Sequence, residues 1–178
     1  MKTKIKFISA FCFILGMALT SCSSGVEYSI DNPTDQAIKI TIDENEAITI
    51  EPKTLKTIEG KLEKGKHSMQ VEGGEKIDFN LEDDKVMLNP TLSSYIRLKQ
   101  EYGMGFQSTL KDTTIIINNE KYTAPIINVS KDPVIKLSDI NFSVNEPYPD
   151  EVETYSNGTV VKIKLFREGD FVKYYDEN

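Results

Sequence analysis

Tryptophan is absent, histidine occurs once, and both cysteines, Cys12 and Cys22, lie in the first 22 of 178 residues. Each scarcity removes a class of chemistry. From residue 23 onward no thiol remains for a disulfide, a nucleophile or a cysteine-ligated metal. With His67 as the one imidazole, a zinc site would need an unusual carboxylate-rich ligand set. A Ser-His-Asp triad would have to be built around His67, but no Gly-x-Ser-x-Gly elbow occurs, and its place in an alternating segment describes a strand residue. Without tryptophan, a sugar site loses its usual flat platform. Basic residues number 21 against 28 acidic ones, so no positive excess exists for nucleic acid phosphates. A sustained 3.6-residue apolar period is also missing, which argues against a helical fold.

What is present begins with Lys2, Lys4 and Lys6, followed by an apolar stretch from Phe7 to Leu19, the layout of a secretory signal peptide. The stretch is shorter than the roughly 20 apolar residues a spanning helix requires. It closes on Leu19-Thr20-Ser21-Cys22, with polar Ser23-Ser24-Gly25 behind it. This run resembles the lipobox of bacterial lipoproteins. The resemblance implies a thioether-linked diacylglyceryl group on Cys22, removal of residues 1–21, and acylation of the new amino group. Two or more acyl chains hold a protein on a bilayer where one is marginal. Residues 22–25 then serve as a tether, and loss of three lysines takes the formal charge from −7 to about −10. The expected address is the outer membrane, facing the periplasm. Surface display, marked in Bacteroidota-like lipoproteins by acidic residues just after the cysteine, stays open, with Glu27 the one acidic residue close by.

Beyond Val26 the chain reads as short strands between turn signals. Ile38, Ile40 and Ile42 share a face, Asp43-Glu44-Asn45-Glu46 turns, and Ala47 to Ile50 follows. Leu55 to Leu62 is a weaker strand. Lys66 to Val71 alternates His67, Met69 and Val71 with polar residues, and Gly73-Gly74 joins it to Ile77, Phe79 and Leu81 as a hairpin. Asn89-Pro90 marks an internal boundary. Thr91 to Tyr102 fits helix or strand, and its tyrosines and isoleucine favour strand. Thr113 to Ile117 and Lys121 to Ile126 form a hairpin about Asn118-Asn119, Val134 to Leu137 is a further strand, and Gly103 to Gln107 is loop. Thr159 to Phe166 and Asp170 to Tyr175 are expected to pair across Arg167-Glu168-Gly169. The expected class is all-β, with one or two small antiparallel β-sandwich modules: 26–89 and 90–178.

The runs Ile40-Thr41-Ile42-Asp43, Ile50-Glu51-Pro52 and Gly65-Lys66-His67-Ser68-Met69-Gln70-Val71 resemble PEGA-type β-sandwich modules across residues 38–71. That resemblance implies a non-catalytic envelope module.

Candidate ligand groups are few. Asp43, Asn45 and Glu46, or Glu82, Asp83 and Asp84, place oxygens near one another. The EF-hand spacing nevertheless fails, with Ala47 at the third ligand position and Ile48 where glycine must turn. Solvated acidic turns are the simpler reading. Gly103-Met104-Gly105-Phe106 lacks the Gly-Lys-Ser/Thr ending of a phosphate loop. Asn128, Asn141 and Asn157 each open a glycosylation sequon, which chance explains beside a lipobox. Tyr148, held extended between Pro147 and Pro149, and Tyr155 are the candidate ligand contacts, with packing of Tyr148 onto the sheets as the alternative. No catalytic residue, metal or cofactor is expected. The expected function is a non-enzymatic binding or scaffold protein of the envelope, held to the membrane through Cys22 and engaging an envelope protein. A carbohydrate-binding or processing accessory, and a periplasmic immunity or inhibitor lipoprotein, are the competing classes.

Overall fold

The computed structural model describes residues 25–103, 108–153 and 158–177. In chain order its strands are β1 (Val26–Asn32), β2 (Ile38–Ile42), β3 (Ile48–Ile50), β4 (Thr54–Leu62), β5 (Gly65–Val71), β6 (Lys76–Leu81) and β7 (Lys85–Leu88). There follow β8 (Tyr95–Tyr102), β9 (Thr113–Ile117), β10 (Glu120–Ala124), β11 (Ile126–Ser130), β12 (Val134–Lys136), β13 (Val160–Arg167) and one helix, α1 (Glu168–Glu177). They form four open sheets, ordered β12-β7-β1-β4, β3-β2-β5-β6, β11-β8-β13 and β10-β9. Pairing is predominantly antiparallel, so the all-β class holds. Among the named strands the exception is β1, which runs parallel to β7 from Glu27↔Lys85 to Ile30↔Leu88.

Alternation along the strands builds three cores. Val26, Tyr28 and Ile30 of β1 and Val86 and Leu88 of β7 meet Ile40, Ile42, Ile50, Met69, Phe79 and Leu81 of the β3-β2-β5-β6 sheet. The intervening residues of the first sheet face the other way, since successive strand side chains alternate. Met87 and Ile135 accordingly pack with Tyr95 and Leu165 of the β11-β8-β13 sheet. The far side of that third sheet, Ile96, Leu98 and Phe166, is covered by Ile117 and Tyr122 of the β9–β10 hairpin and by Phe171 of α1. β1 and β7 are therefore buried on both faces, and all their residues but Glu27 and Lys85 are buried.

Turn chemistry fixes the hairpins. Asn118 and Asn119 take positive φ, 50° and 68°, the conformation a two-residue hairpin loop needs. Gly73, at φ 77°, turns β5 into β6.

Two expectations are corrected. Asp170 to Tyr175 is not a strand paired with β13 but part of α1. Glu168 and Asp170 sit in the first turn, where the helix dipole favours acids, and Phe171 and Tyr174 fall on one helical face over Phe166. The strands are also not wholly antiparallel, because β1 and β7 are parallel neighbours. The boundary drawn at Asn89-Pro90 is bridged by β12, whose Val134, Ile135 and Lys136 pair with Leu88, Met87 and Val86.

Candidate functional site

His67, Asp43 and Ser68 line the same cleft, of about 630 Å³, together with Lys66, Lys76 and Phe79. The cleft forms where the β2 turn meets β5. Asp43 and Glu44 both take positive φ, and the Asp43 and Ser68 backbones join through Asp43 N–H to Ser68 carbonyl at 3.0 Å. Asp43 Oδ1 accepts the Ser68 N–H at 2.8 Å, and Asp43 Oδ2 is held by His67 Nδ1. His67 Nε2 lies 2.7 Å from the Glu63 carbonyl. A carbonyl only accepts, so Nε2 carries a proton, and a carboxylate at Nδ1 favours a second one. Below its raised pKa, His67 is an imidazolium with both nitrogens donating. Burial pulls its pKa down, but the bonds to Asp43 and the Glu63 carbonyl, with those two carboxylates nearby, outweigh burial and raise it. Burial raises Asp43 less than His67 and the Ser68 N–H lower it, so its pKa falls.

This arrangement is not a triad. Ser68 follows His67 on β5, so the two side chains leave opposite faces of the strand. The nitrogen that would activate a hydroxyl is spent on Glu63. Phe79 stacks on the ring at 5.7 Å between centroids.

A second polar cluster is buried between the first and third sheets. Arg167, at the end of β13, donates from Nε to Asp31 Oδ2 at 2.9 Å and from Nη2 to Asp31 Oδ1 at 2.6 Å. Tyr95 donates its hydroxyl to Asp31 Oδ2 at 2.6 Å, and Asn145 Oδ1 accepts from Arg167 Nη2 at 3.0 Å. The Asp31 side chain is fully buried and that of Arg167 is 8% exposed. Burial, the Asp31 charge and the hydrogen bond to it push the Tyr95 pKa up, so the hydroxyl stays protonated. Every polar group in the cluster faces another, which describes a joint between sheets.

Lys164 of β13 is also buried. Its Nζ donates to the Ser143 carbonyl at 2.9 Å and to the Glu146 carbonyl, and sits 4.6 Å above the Phe166 ring. Burial lowers its pKa to about 8 against the pull of Asp170 and Glu146.

Tyr148 packs among Phe142, Phe166 and Tyr174 and donates its hydroxyl to the Leu98 carbonyl at 2.6 Å. The packed alternative describes where the structure puts it. Tyr155 and Cys22 lie outside the described residues, as do Asn157 and most of the Gly103 to Gln107 loop. In the acidic turns Asn45 bonds the Ile42 carbonyl, Asp83 pairs with Lys136 and Asp84 with Lys64. Among the described residues no three His, Cys, Asp or Glu side chains gather in a metal-holding group.

The outer strand β11 carries the remaining feature. Its residues, Ile126-Ile127-Asn128-Val129-Ser130, include no charge, and Ile127 and Val129 are 40% and 43% exposed. Several other outer strands are guarded: β4 carries Lys56, Glu59 and Lys61, β6 carries Lys76 and Asp78, β13 carries Lys162, Lys164 and Arg167, and β3 and β12 have three residues each, whereas β9 is uncharged like β11 and exposes Ile116. A register break between Ile126 and Asn128 turns Ile127 out of the ladder.

Sequence reasoning missed a repeated Asn-Pro-Thr. Asn32-Pro33-Thr34 ends β1 and Asn89-Pro90-Thr91 follows β7, and both asparagines are fully buried. Asn32 Nδ2 donates to the Gln36, Ile50 and Glu51 carbonyls, and Asn89 Nδ2 to those of Ser93 and Asp132. The repeat itself was the available signal.

No family model matches the chain, and no curated protein or solved structure does.

Proposed function

We propose that this chain is an outer-membrane lipoprotein, anchored through Cys22 and facing the periplasm, that binds an envelope protein and performs no catalysis. The carrying observation is the uncharged edge of β11, a character it shares with β9 among the described outer strands, whereas β4, β6 and β13 bear charges. An extended partner segment adding to Asn128–Ser130 would gain main-chain hydrogen bonds and cover Val129. His67 supports the non-enzymatic reading, because both its ring nitrogens are engaged, by Asp43 and by the Glu63 carbonyl. β12 and the Asp31–Arg167 pair both cross residue 89, which favours one β-sandwich with the C-terminal strands built onto it over two separate modules. The PEGA-type likeness of residues 38–71 fits this, since they supply β2, β3, β4 and β5.

Two measurements test the reading together. Mass spectrometry of the mature N-terminus should find acyl chains on Cys22; a bare thiol refutes the anchor. Cross-linking in solubilised membranes should recover partners with the native chain and lose them with Val129→Lys, which places a charge on the edge. Equal recovery with both refutes the β11 interface.

A further inference from the structure

The point where the chain enters the fold is tightly defined. A Cβ added at Gly25 would lie 2.5 Å from Lys61 Cβ, and Val26 is fully buried opposite Leu62. Glu27 donates its backbone N–H to the Asp84 carbonyl at 2.8 Å. Between Cys22 and Val26 are four residue steps, about 14 Å when taut. β1 itself is about 20 Å long, and its far end leads through Asn32 to Asp35.

Resting on the lipid-anchor reading of Cys22, we propose that the end of the sheet stack around Val26 is the face presented to the bilayer. That face is formed by the β4–β5 turn, the β6–β7 turn and Lys136, and its partner is a layer of phosphate-bearing lipid headgroups.

The short tether sets which end can reach the bilayer, and the charge at that end decides whether contact is tolerated. At this end Lys61 pairs with Glu27 at 3.8 Å, Lys64 with Asp84 at 2.6 Å and Lys136 with Asp83 at 2.5 Å. Adding Glu63, Glu82 and Lys85, four lysines stand against five carboxylates. Residues 22–178 as a whole carry about −10, so this end is nearly neutral on an otherwise acidic molecule. An anionic headgroup surface repels the acidic remainder and tolerates the balanced end within the roughly 10 Å over which such charges act. The three paired lysines are 46% to 53% exposed. Exposed pairs of this kind contribute little to folding. They are free to exchange a carboxylate for a lipid phosphate, which gives the face positive attraction as well as tolerance. The opposite end has a pair of its own, Lys53 with Asp35 at 3.2 Å, but the tether is shorter than the strand that separates the two ends.

Because residues 23–178 contain no cysteine, a single introduced thiol can be labelled once Cys22 is lipidated. Glu63→Cys and Asp35→Cys place a fluorophore at the near and far ends of β1. The full lipidated protein would be reconstituted in vesicles of phosphatidylethanolamine and phosphatidylglycerol containing a headgroup-attached quencher. Quenching several-fold stronger at position 63 than at position 35 is expected. Vesicle flotation with equal quenching, or with the order reversed, overturns the proposed face while leaving the anchor in place. Failure of both labelled proteins to float with the vesicles overturns the anchor, and this face with it.

Discussion

Replacing Arg167 with methionine should be among the most damaging single changes in the molecule. Arg167 supplies two of the three hydrogen bonds that Asp31 receives in the buried joint, leaving the Tyr95 hydroxyl alone with a fully buried carboxylate. Removing one member of such a pair costs about 3 to 5 kcal/mol, because the remaining charge keeps its desolvation penalty without its partner. Against a typical total of about 5 to 15 kcal/mol this is a large fraction. For a domain of this length it corresponds to a fall in Tm of roughly 6 to 20 °C. Urea denaturation of Arg167→Met measures the cost directly. The control is Asp31→Asn with Arg167→Met: asparagine keeps an acceptor for Tyr95 and abolishes the charge, so the double variant should be more stable than Arg167→Met alone. A loss under about 1 kcal/mol for Arg167→Met, or a double variant worse than the single one, would refute the reasoning.

The His67–Asp43 bridge predicts a pH response with a definite sign. The raised His67 pKa contributes stability that is present below about pH 6.5 and lost as pH rises through the folded value. The lowered Asp43 pKa contributes stability present above about pH 3.9 and lost as pH falls through its folded value. Denaturation midpoints across this range should therefore flatten on the alkaline side in His67→Gln. Lys164 acts in the opposite direction: its folded pKa of about 8 lies below the ordinary lysine value of about 10.4, so the unfolded chain binds more protons between them. Stability on its account rises over that window, and Lys164→Met should abolish the rise in a pH series of urea midpoints. Leu92 takes φ 50° while 43% exposed, so Leu92→Asn should stabilise the protein by about 0.5 to 1 kcal/mol in thermal unfolding.

Legibility in the sequence followed the range of the interaction. Alternation over Ile38–Ile42 and Lys76–Leu81, with Gly73 and Asn118-Asn119 as turns, announces β2, β6 and two hairpins, because strand faces and turn conformations are decided within a few residues. The terminal helix was misread because Phe171, Tyr174 and Tyr175 have the composition of a strand, and their three- and four-residue spacing gains its meaning from the Phe166 and Tyr122 surface they cover. The parallel β1–β7 pair was invisible for a related reason: five strands separate the partners, and no local signal sets their register. Asp31 and Arg167 are 136 residues apart and each reads alone as a surface charge. His67 was placed correctly on its strand, but its bond to Asp43 depends on the positive-φ turn that carries Asp43 back over β5.

The chemistry of the buried groups bears on how a partner would be held. Asp31, Arg167, Tyr95, His67 and Lys164 spend their polar atoms on one another, on Asp43 and Asn145, or on backbone carbonyls. Among the described residues, the buried side-chain polar atoms without a partner are Arg97 Nε and Tyr102 Oη, both on β8. What β11 offers is main-chain donors and acceptors with Ile127 and Val129 beside them, and no charge. Binding there draws on hydrogen bonds to the backbone and on apolar burial, neither of which weakens through ionic screening, whereas a complex steered by the acidic surface would lose affinity as the Debye length shortens from about 10 Å at 0.1 M salt to about 3 Å at 1 M. Recovery of the β11 partner should therefore stay level across that salt range. A steep fall with salt would assign the contact to the charged faces instead of the strand edge.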